Sequence, residues 1–152
     1  MIPILSDNKI TKLTMYLLDT NVVSELRKKS KMNKGVKAFF SAVAKEGTSL
    51  YLSVITIGEI RRGVELIRHR GDGQQANILE LWLENIITDY QSNILEFSET
   101  EAQVWGKLRV PNHENSIDKQ IAATALTYDL CLVTRNISDF HDTGVRVLNP
   151  FK

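Results

Sequence analysis

The sequence MYLLDTNVVSELR, residues 15–27, begins as an apolar strand and ends that strand on a carboxylate. Leu17 and Leu18 favour burial, and Asp19 follows them with no turn residue between. A charged group at the exit of a buried strand is costly unless something pairs with it. This stretch therefore indicates both a buried strand and a binding site at its end.

Strand and helix patterns alternate from this strand to the C-terminus, which predicts an α/β fold. We expect a three-layer α/β/α sandwich with a central, mostly parallel sheet, formed by residues 15–152. We expect residues 1–14 to be an N-terminal extension, either disordered or upstream of a start at Met15. The predicted strands are 15–19, 49–54, 94–97, 130–134 and 145–148, and the predicted helices are 21–29, 33–45, 56–69, 74–90, 99–108 and 116–128.

The composition is that of an ordinary globular domain. The chain has 152 residues, of which 43% are hydrophobic and 24% charged, so disorder is not the default. Its net charge of +1 argues neither for nor against a nucleic-acid partner. The single cysteine, Cys131, lies in the apolar run LCLVT, which favours strand packing and a cytoplasmic location. No apolar stretch approaches the ~20 residues of a membrane span.

Four acidic residues are predicted beyond the carboxyl ends of the strands, where open parallel sheets bind ligands. Asp19 ends the first strand, and Asp139 lies beyond the strand that ends at 134. Glu59 and Asp118 are predicted in the first turns of two helices. Each acid also has a purely structural interpretation. Asp19 and Asp139 suit caps or turns, Glu59 completes a capping box with Thr56, and Asp118 suits the helix dipole.

Convergence of these four acids favours a metal site over four unrelated caps. Carboxylates gathered at one edge repel each other, and cap chemistry does not require them to meet. A hard divalent cation, Mg²⁺ or Mn²⁺, binds such oxygen ligands. Zinc is disfavoured because the three histidines and Cys131 lack ligand spacing. The sequence also lacks a nucleophile elbow, a P-loop and a dinucleotide-binding glycine motif.

Four segments resemble, in order and spacing, the motifs of PIN-domain ribonucleases, especially the VapC-type toxins of toxin–antitoxin modules and their FitB-like branch. They are LLDTNVVSE (17–25), SVITIGEI (53–60), SIDKQIAATA (116–125) and LVTRNISDF (132–140). The resemblance runs from Met15 to the C-terminus. One departure is Lys119-Gln120, where the family typically has a small or apolar pair. The resemblance implies a catalytic, metal-binding quartet of Asp19, Glu59, Asp118 and Asp139, supported by Asn21, Thr134 and Asn136.

The resemblance also implies a function and partners. We expect a Mg²⁺-dependent endoribonuclease toxin, with Mn²⁺ as a substitute, that hydrolyses RNA phosphodiester bonds with a metal-activated water. We expect the protein to bind a cognate antitoxin and to contact operator DNA only through that antitoxin. We also expect a homodimer formed by the helix 74–90 and the helix of Trp105. Core packing is the alternative use of those two helices. Basic residues that could contact RNA or the antitoxin, or simply form solvated helix faces, are Lys28, Lys29, Arg61, Arg62 and Arg68.

Two other functions compete with this interpretation. One is a PIN-like binding subunit that acts through an antitoxin complex on operator DNA, with little or no nuclease activity. The other is a phosphatase of the haloacid-dehalogenase type, which also begins with an apolar strand ending in Asp. That chemistry needs a second acid two positions after Asp19, and the chain has Asn21 there.

Overall fold

Five parallel strands form the central sheet of the computed structural model, which describes residues 14–152. Their spatial order is β3–β2–β1–β4–β5, and every neighbouring pair is parallel. The expectation for residues 1–14 lies outside the described residues apart from Thr14. The strands are β1 (Tyr16–Leu18), β2 (Leu50–Ser53), β3 (Ile94–Leu95), β4 (Cys131–Val133) and β5 (Val147–Leu148).

Six α-helices connect these strands in the described part of the chain. They are α1 (Thr20–Glu25), α2 (Lys34–Glu46), α3 (Val54–His69), α4 (Gly73–Asp89), α5 (Glu99–Leu108) and α6 (Ser116–Thr127). Short 3-10 segments follow α1 at Leu26–Lys31, precede β3 at Gln91–Asn93 and follow β4 at Ile137–Phe140. Within residues 14–152, no helix combines the length and the apolar character needed to cross a membrane.

Two hydrophobic cores lie on opposite faces of the sheet, because successive residues of a strand point to opposite sides. Leu18 packs with residues of α1, α2, α3 and α4 on one face. Leu17 packs with Ile121, Ala122 and Ala125 of α6 on the other. The small alanines let α6 approach the sheet closely. The predicted three-layer α/β/α sandwich is confirmed.

The predicted elements are present, with shifted ends. The helix expected at 21–29 ends at Glu25, because the chain changes to a 3-10 segment in which Lys29 adopts φ +51°. The strand expected at 145–148 is limited to β5. The capping box that opens α5 pairs Ser98 with Glu101.

The capping box predicted from Thr56 to Glu59 is wrong. Helix α3 begins two residues earlier than predicted, because the hydroxyl of Ser53 accepts the main-chain N–H of Ile55 at 3.0 Å. Ser53 is therefore the N-cap, and Glu59 is the sixth residue of the helix instead of a first-turn acid. The buried hydroxyl of Thr56 has no hydrogen-bond partner in the described structure.

This helix start predicts opposite outcomes for two hydroxyl replacements. Ser53→Ala removes the cap and should lower the free energy of unfolding by about 1 kcal/mol. Thr56→Val removes an unpaired buried hydroxyl with little change of shape, so stability should stay within about 0.5 kcal/mol or rise. Urea unfolding followed by circular dichroism measures both. A larger loss for Thr56→Val than for Ser53→Ala would contradict this assignment of the cap.

Candidate active site

The four acids meet near the point where the strand order reverses. Strands β1 and β4 lie side by side, while the chain runs from β1 outward to β2 and β3 before it returns to β4. Ligands bind to open parallel sheets at such a switch point, beyond the carboxyl ends of the strands. Asp19 follows β1 there, and its main-chain N–H donates to Val133 O at the end of β4 (2.9 Å).

Asp19 is held in one orientation by two hydrogen bonds. Its Oδ1 accepts the N–H of Thr20 at 2.8 Å, and its Oδ2 accepts the hydroxyl of Thr134 at 2.8 Å. Only 5% of the residue is exposed. The pKa of this carboxyl is raised, first by burial and then by the charges of Asp139 and Glu59, although the two hydrogen bonds act to lower it.

Thr134 is the residue that connects the site to its supports. Its hydroxyl donates to Asp19 and accepts the side-chain amide of Asn21 at 3.4 Å and the main-chain N–H of Asn136 at 3.0 Å. Asn21 also accepts the main-chain N–H of Arg135 at 3.1 Å. Thr134 and Asn21 therefore contact the site through their side chains, whereas Asn136 contacts it through its main chain.

Asp118 is brought to the other three acids by the start of α6. It lies in the first turn of that helix, while Glu59 projects from α3 and Asp139 from the 3-10 segment after β4. The pKa of Asp118 is raised to about 6, first by burial and then by the charges of Asp19, Asp139 and Glu59. The charges of Asp139 and Glu59 thus act on both Asp118 and Asp19.

No basic side chain in the described part of the chain neutralises these acids. Within residues 14–152, no lysine, arginine or histidine forms an ion pair with Asp19, Glu59, Asp118 or Asp139, whereas Glu25, Glu65, Glu80 and Asp129 are all paired with cations. The donor set is made of hard oxygen ligands, which fits Mg²⁺ or Mn²⁺.

The acids are spaced more widely than a closed metal cage requires. Among the described residues, no three His, Cys, Asp or Glu side chains are grouped closely enough to hold a metal ion as they stand. Mg²⁺ keeps several waters and commonly binds through one or two carboxylates plus a substrate phosphate. An open site with few direct protein ligands is consistent with both facts.

Most of the basic candidates are engaged in ion pairs on the surface. Arg61 and Arg68 of α3 contact Glu65 on their own helix and Glu80 on α4. Lys28 pairs with Glu25. Sequence reasoning missed the contact with Glu80, because it depends on the packing of α4 against α3. No ion pair holds the other two candidates, Lys29 and Arg62, in the described residues.

A groove extends from Glu59 between α1, α3 and α4. One cavity of about 250 Å³ is lined by Glu59, Ser24 and Trp82, among others. A second of about 380 Å³ shares Arg27 and Trp82 with it and is also lined by Lys29. Sequence reasoning did not predict that Ser24 lines this groove. Its position five residues after Asp19, in the short helix that begins at the site, could have indicated it.

The fold and these acids define a parallel α/β domain with an acidic site at the carboxyl edge of its sheet. The chain belongs to the PIN-domain family, whose model matches residues 16–145. It is 37% identical to Toxin FitB of Neisseria gonorrhoeae over 144 residues, covering 90% of this chain and 99% of FitB. It is 30% identical to VapC ribonuclease Y4jK of Sinorhizobium fredii over 144 residues, covering 91% and 99%.

Solved structures of toxin–antitoxin complexes share the fold. FitAcB from Neisseria gonorrhoeae matches with a TM-score of 0.76 and 35% identity, covering 90% of this chain and 98% of the matched chain. FitAB bound to an IR36 DNA fragment matches with a TM-score of 0.75 and 33% identity, covering 91% and 96%. The predicted relationship to VapC-type and FitB-like PIN domains is confirmed.

The raised pKa of Asp118 predicts a pH-dependent gain of stability in Asp118→Asn. The folded protein favours the protonated form of Asp118. The stability that this protonated carboxyl contributes is therefore fully present below about pH 4 and is lost as the pH rises through about 6. The full shift corresponds to about 3 kcal/mol, and solvent screening at this partly exposed group reduces it to on the order of 1 kcal/mol. Urea unfolding in a chelator should show Asp118→Asn more stable than wild type at about pH 7.5.

The gain should shrink towards about pH 4.5, where wild-type Asp118 is largely protonated. Glu114→Gln removes an exposed carboxylate from the loop before α6 and is the matched control, expected to leave stability unchanged. Equal stability of Asp118→Asn and wild type at both pH values would contradict a raised pKa of Asp118 in the folded protein.

Proposed function

We propose that the protein is a metal-dependent endoribonuclease, the toxin of a toxin–antitoxin module, acting in the cytoplasm. The observation that carries this proposal is the set of four acids at the switch point of a PIN domain, none of them ion-paired with a basic side chain in the described residues. The 30% identity to a VapC ribonuclease over nearly the full length of both chains supports the same activity.

Asp19 and Asp118 are the residues that would hold Mg²⁺ or Mn²⁺ most directly. Asp19 suits this role because Thr20 and Thr134 fix its orientation, so no reorganisation of that carboxylate is needed. A bound divalent cation supplies Lewis-acid stabilisation of charge on the phosphate and lowers the pKa of a water. Its positive charge would also offset the repulsion that raises the pKa of Asp118.

The two more exposed acids suit the water that attacks the phosphate. Asp139 is exposed and Glu59 is partly exposed, so both reach the open side of the site. One of them, Glu59 or Asp139, holds the attacking water and takes its proton while the oxygen bonds to phosphorus. The bond from phosphorus to the 3′ oxygen then breaks, and that oxygen takes a proton. The products are a 5′ phosphate and a 3′ hydroxyl.

The RNA backbone would run along the cations that have no acidic partner. Lys29 and Arg62 are exposed and unpaired in the described structure, whereas Lys28, Arg61 and Arg68 are held by carboxylates. Phosphate contacts supply most non-specific affinity for nucleic acids, and they weaken with salt. Single-stranded or looped RNA is the expected form, because its backbone and bases are accessible.

An antitoxin is the expected occupant of the groove between α1, α3 and α4. The similar FitAB complexes support this partner, and the DNA-bound FitAB complex supports binding of operator DNA through the antitoxin. A role confined to that complex, with little nuclease activity, is the second candidate function. Ile78 and Leu81 of α4 are 57% and 63% exposed, which supports a homodimer in which this helix is covered.

Asp19→Asn should abolish RNA cleavage. The substitution keeps the shape of the side chain but removes the charge that the cation needs, and a loss of at least about 100-fold is expected. Purified protein free of antitoxin is incubated with a mixture of single-stranded RNAs and Mg²⁺ or Mn²⁺, and the products are separated on denaturing gels. Glu114→Gln is again the matched control and should cleave like wild type.

A chelator should stop cleavage by wild type, and excess Mg²⁺ should restore it. Cleavage that survives both Asp19→Asn and chelation would overturn the proposed mechanism. Absence of cleavage by wild type, together with DNA binding by the antitoxin complex, would favour the second candidate function.

A further inference from the structure

A polar cavity of about 310 Å³ lies at the start of α6, between the loop that precedes this helix and Asp142. Two of its lining residues neighbour members of the quartet in sequence, since Lys119 follows Asp118 and Asp142 lies three positions after Asp139. Two sides of this cavity therefore adjoin Asp118 and Asp139 along the chain. Its walls are formed by Leu108, Val110, Pro111, Asn112, Lys119 and Asp142.

Lys119 is an unusual residue for the wall of a cavity. Only 6% of it is exposed, and its ammonium donates to the main-chain carbonyl of Asn112. An ammonium has three donors, so this carbonyl leaves two of them available. No carboxylate forms an ion pair with Lys119 among the described residues. A buried cation with spare donors is costly unless a ligand completes its hydrogen bonds.

Asp142 provides a negatively charged acceptor in the same cavity. Its carboxylate contacts His141 Nε2 at 3.2 Å, and within the described chain it makes no ion pair with Lys119. A donor and an acceptor of opposite charge thus line one cavity without neutralising each other. The carboxylate also disfavours a phosphate group as the occupant, because two anions would then share the cavity.

Three of the remaining lining residues are apolar, and the fourth is Asn112. Leu108, Val110 and Pro111 contribute side chains that can lie against the face of a flat ring. A planar ligand with an acceptor on one part of its edge and donors on another would satisfy Lys119 and Asp142 together. The volume of the cavity is sufficient for a purine ring system.

We propose that this cavity binds a guanine base of the RNA substrate, next to the scissile phosphate. Lys119 donates to the acceptors O6 and N7, and Asp142 accepts from N1–H and the exocyclic amine. Adenine presents an amine in place of O6, so Lys119 would keep only the N7 acceptor, and adenine has no N1–H for Asp142 to accept. Uracil offers Asp142 one N–H where guanine offers two. This inference rests on the proposed function, because it makes the cavity a specificity site for the same RNA.

Binding of short RNAs to the Asp19→Asn protein tests the inference without hydrolysis. The probes are a fluorescent hexaadenylate and the same hexamer with one internal guanine, measured by fluorescence anisotropy with Mg²⁺ present. The guanine-containing hexamer should bind about tenfold more tightly, the discrimination expected of a good bidentate contact. Lys119→Met and Asp142→Asn, each added to Asp19→Asn, should remove this preference.

Lys107→Met is the matched control, because it removes an exposed lysine from the last turn of the neighbouring helix α5. It should keep the preference. Asp142 is largely exposed, so Asp142→Asn remains informative even if Lys119→Met does not fold. Equal binding of the two hexamers, binding of neither, or a guanine preference that survives Asp142→Asn would overturn the inference. Cleavage by the wild-type protein is measured separately, so failure of the proposed nuclease activity is distinguished from failure of this site.

Discussion

The hydrogen bond from the hydroxyl of Thr134 to the carboxylate of Asp19 is the interaction on which the site depends. It joins the residues that follow β1 and β4, the two strands on either side of the switch point. Both residues are buried, so the bond forms in surroundings of low polarity where it restrains the carboxylate strongly. Asn21 and Asn136 both donate to the hydroxyl of Thr134 and so fix its position. The other three acids are arranged around the carboxylate of Asp19.

The distribution of charge separates the site from the rest of the surface. Outside the quartet, Glu65 and Glu80 form ion pairs with Arg61 and Arg68 of α3. Inside it, burial and mutual repulsion raise the pKa values of Asp19 and Asp118. Such uncompensated repulsion lowers stability, and groups perturbed in this way concentrate at functional sites. A bound cation would neutralise these carboxylates and so remove their mutual repulsion.

Much of this arrangement could be predicted from the sequence, because alternating strands and helices determine which residues reach the carboxyl edge of a parallel sheet. Asp19, Asp118 and Asp139 follow from that rule. The start of α3 could not be predicted in this way, because Ser53 and Thr56 are both good N-caps and only packing selects between them. Tertiary contacts were also out of reach: the pairing of Glu80 with Arg68, and the burial of Lys119 against the loop before α6.

The central claim is that the fold gathers these carboxylates to bind a divalent cation. Anomalous diffraction from crystals soaked in saturating Mn²⁺ tests it most directly, because Mn²⁺ is located independently of the protein atoms. The account predicts a peak between the carboxylates of Asp19 and Asp118 that disappears in Asp19→Asn crystals. A peak at another place alone, or no peak at saturating Mn²⁺, would contradict it.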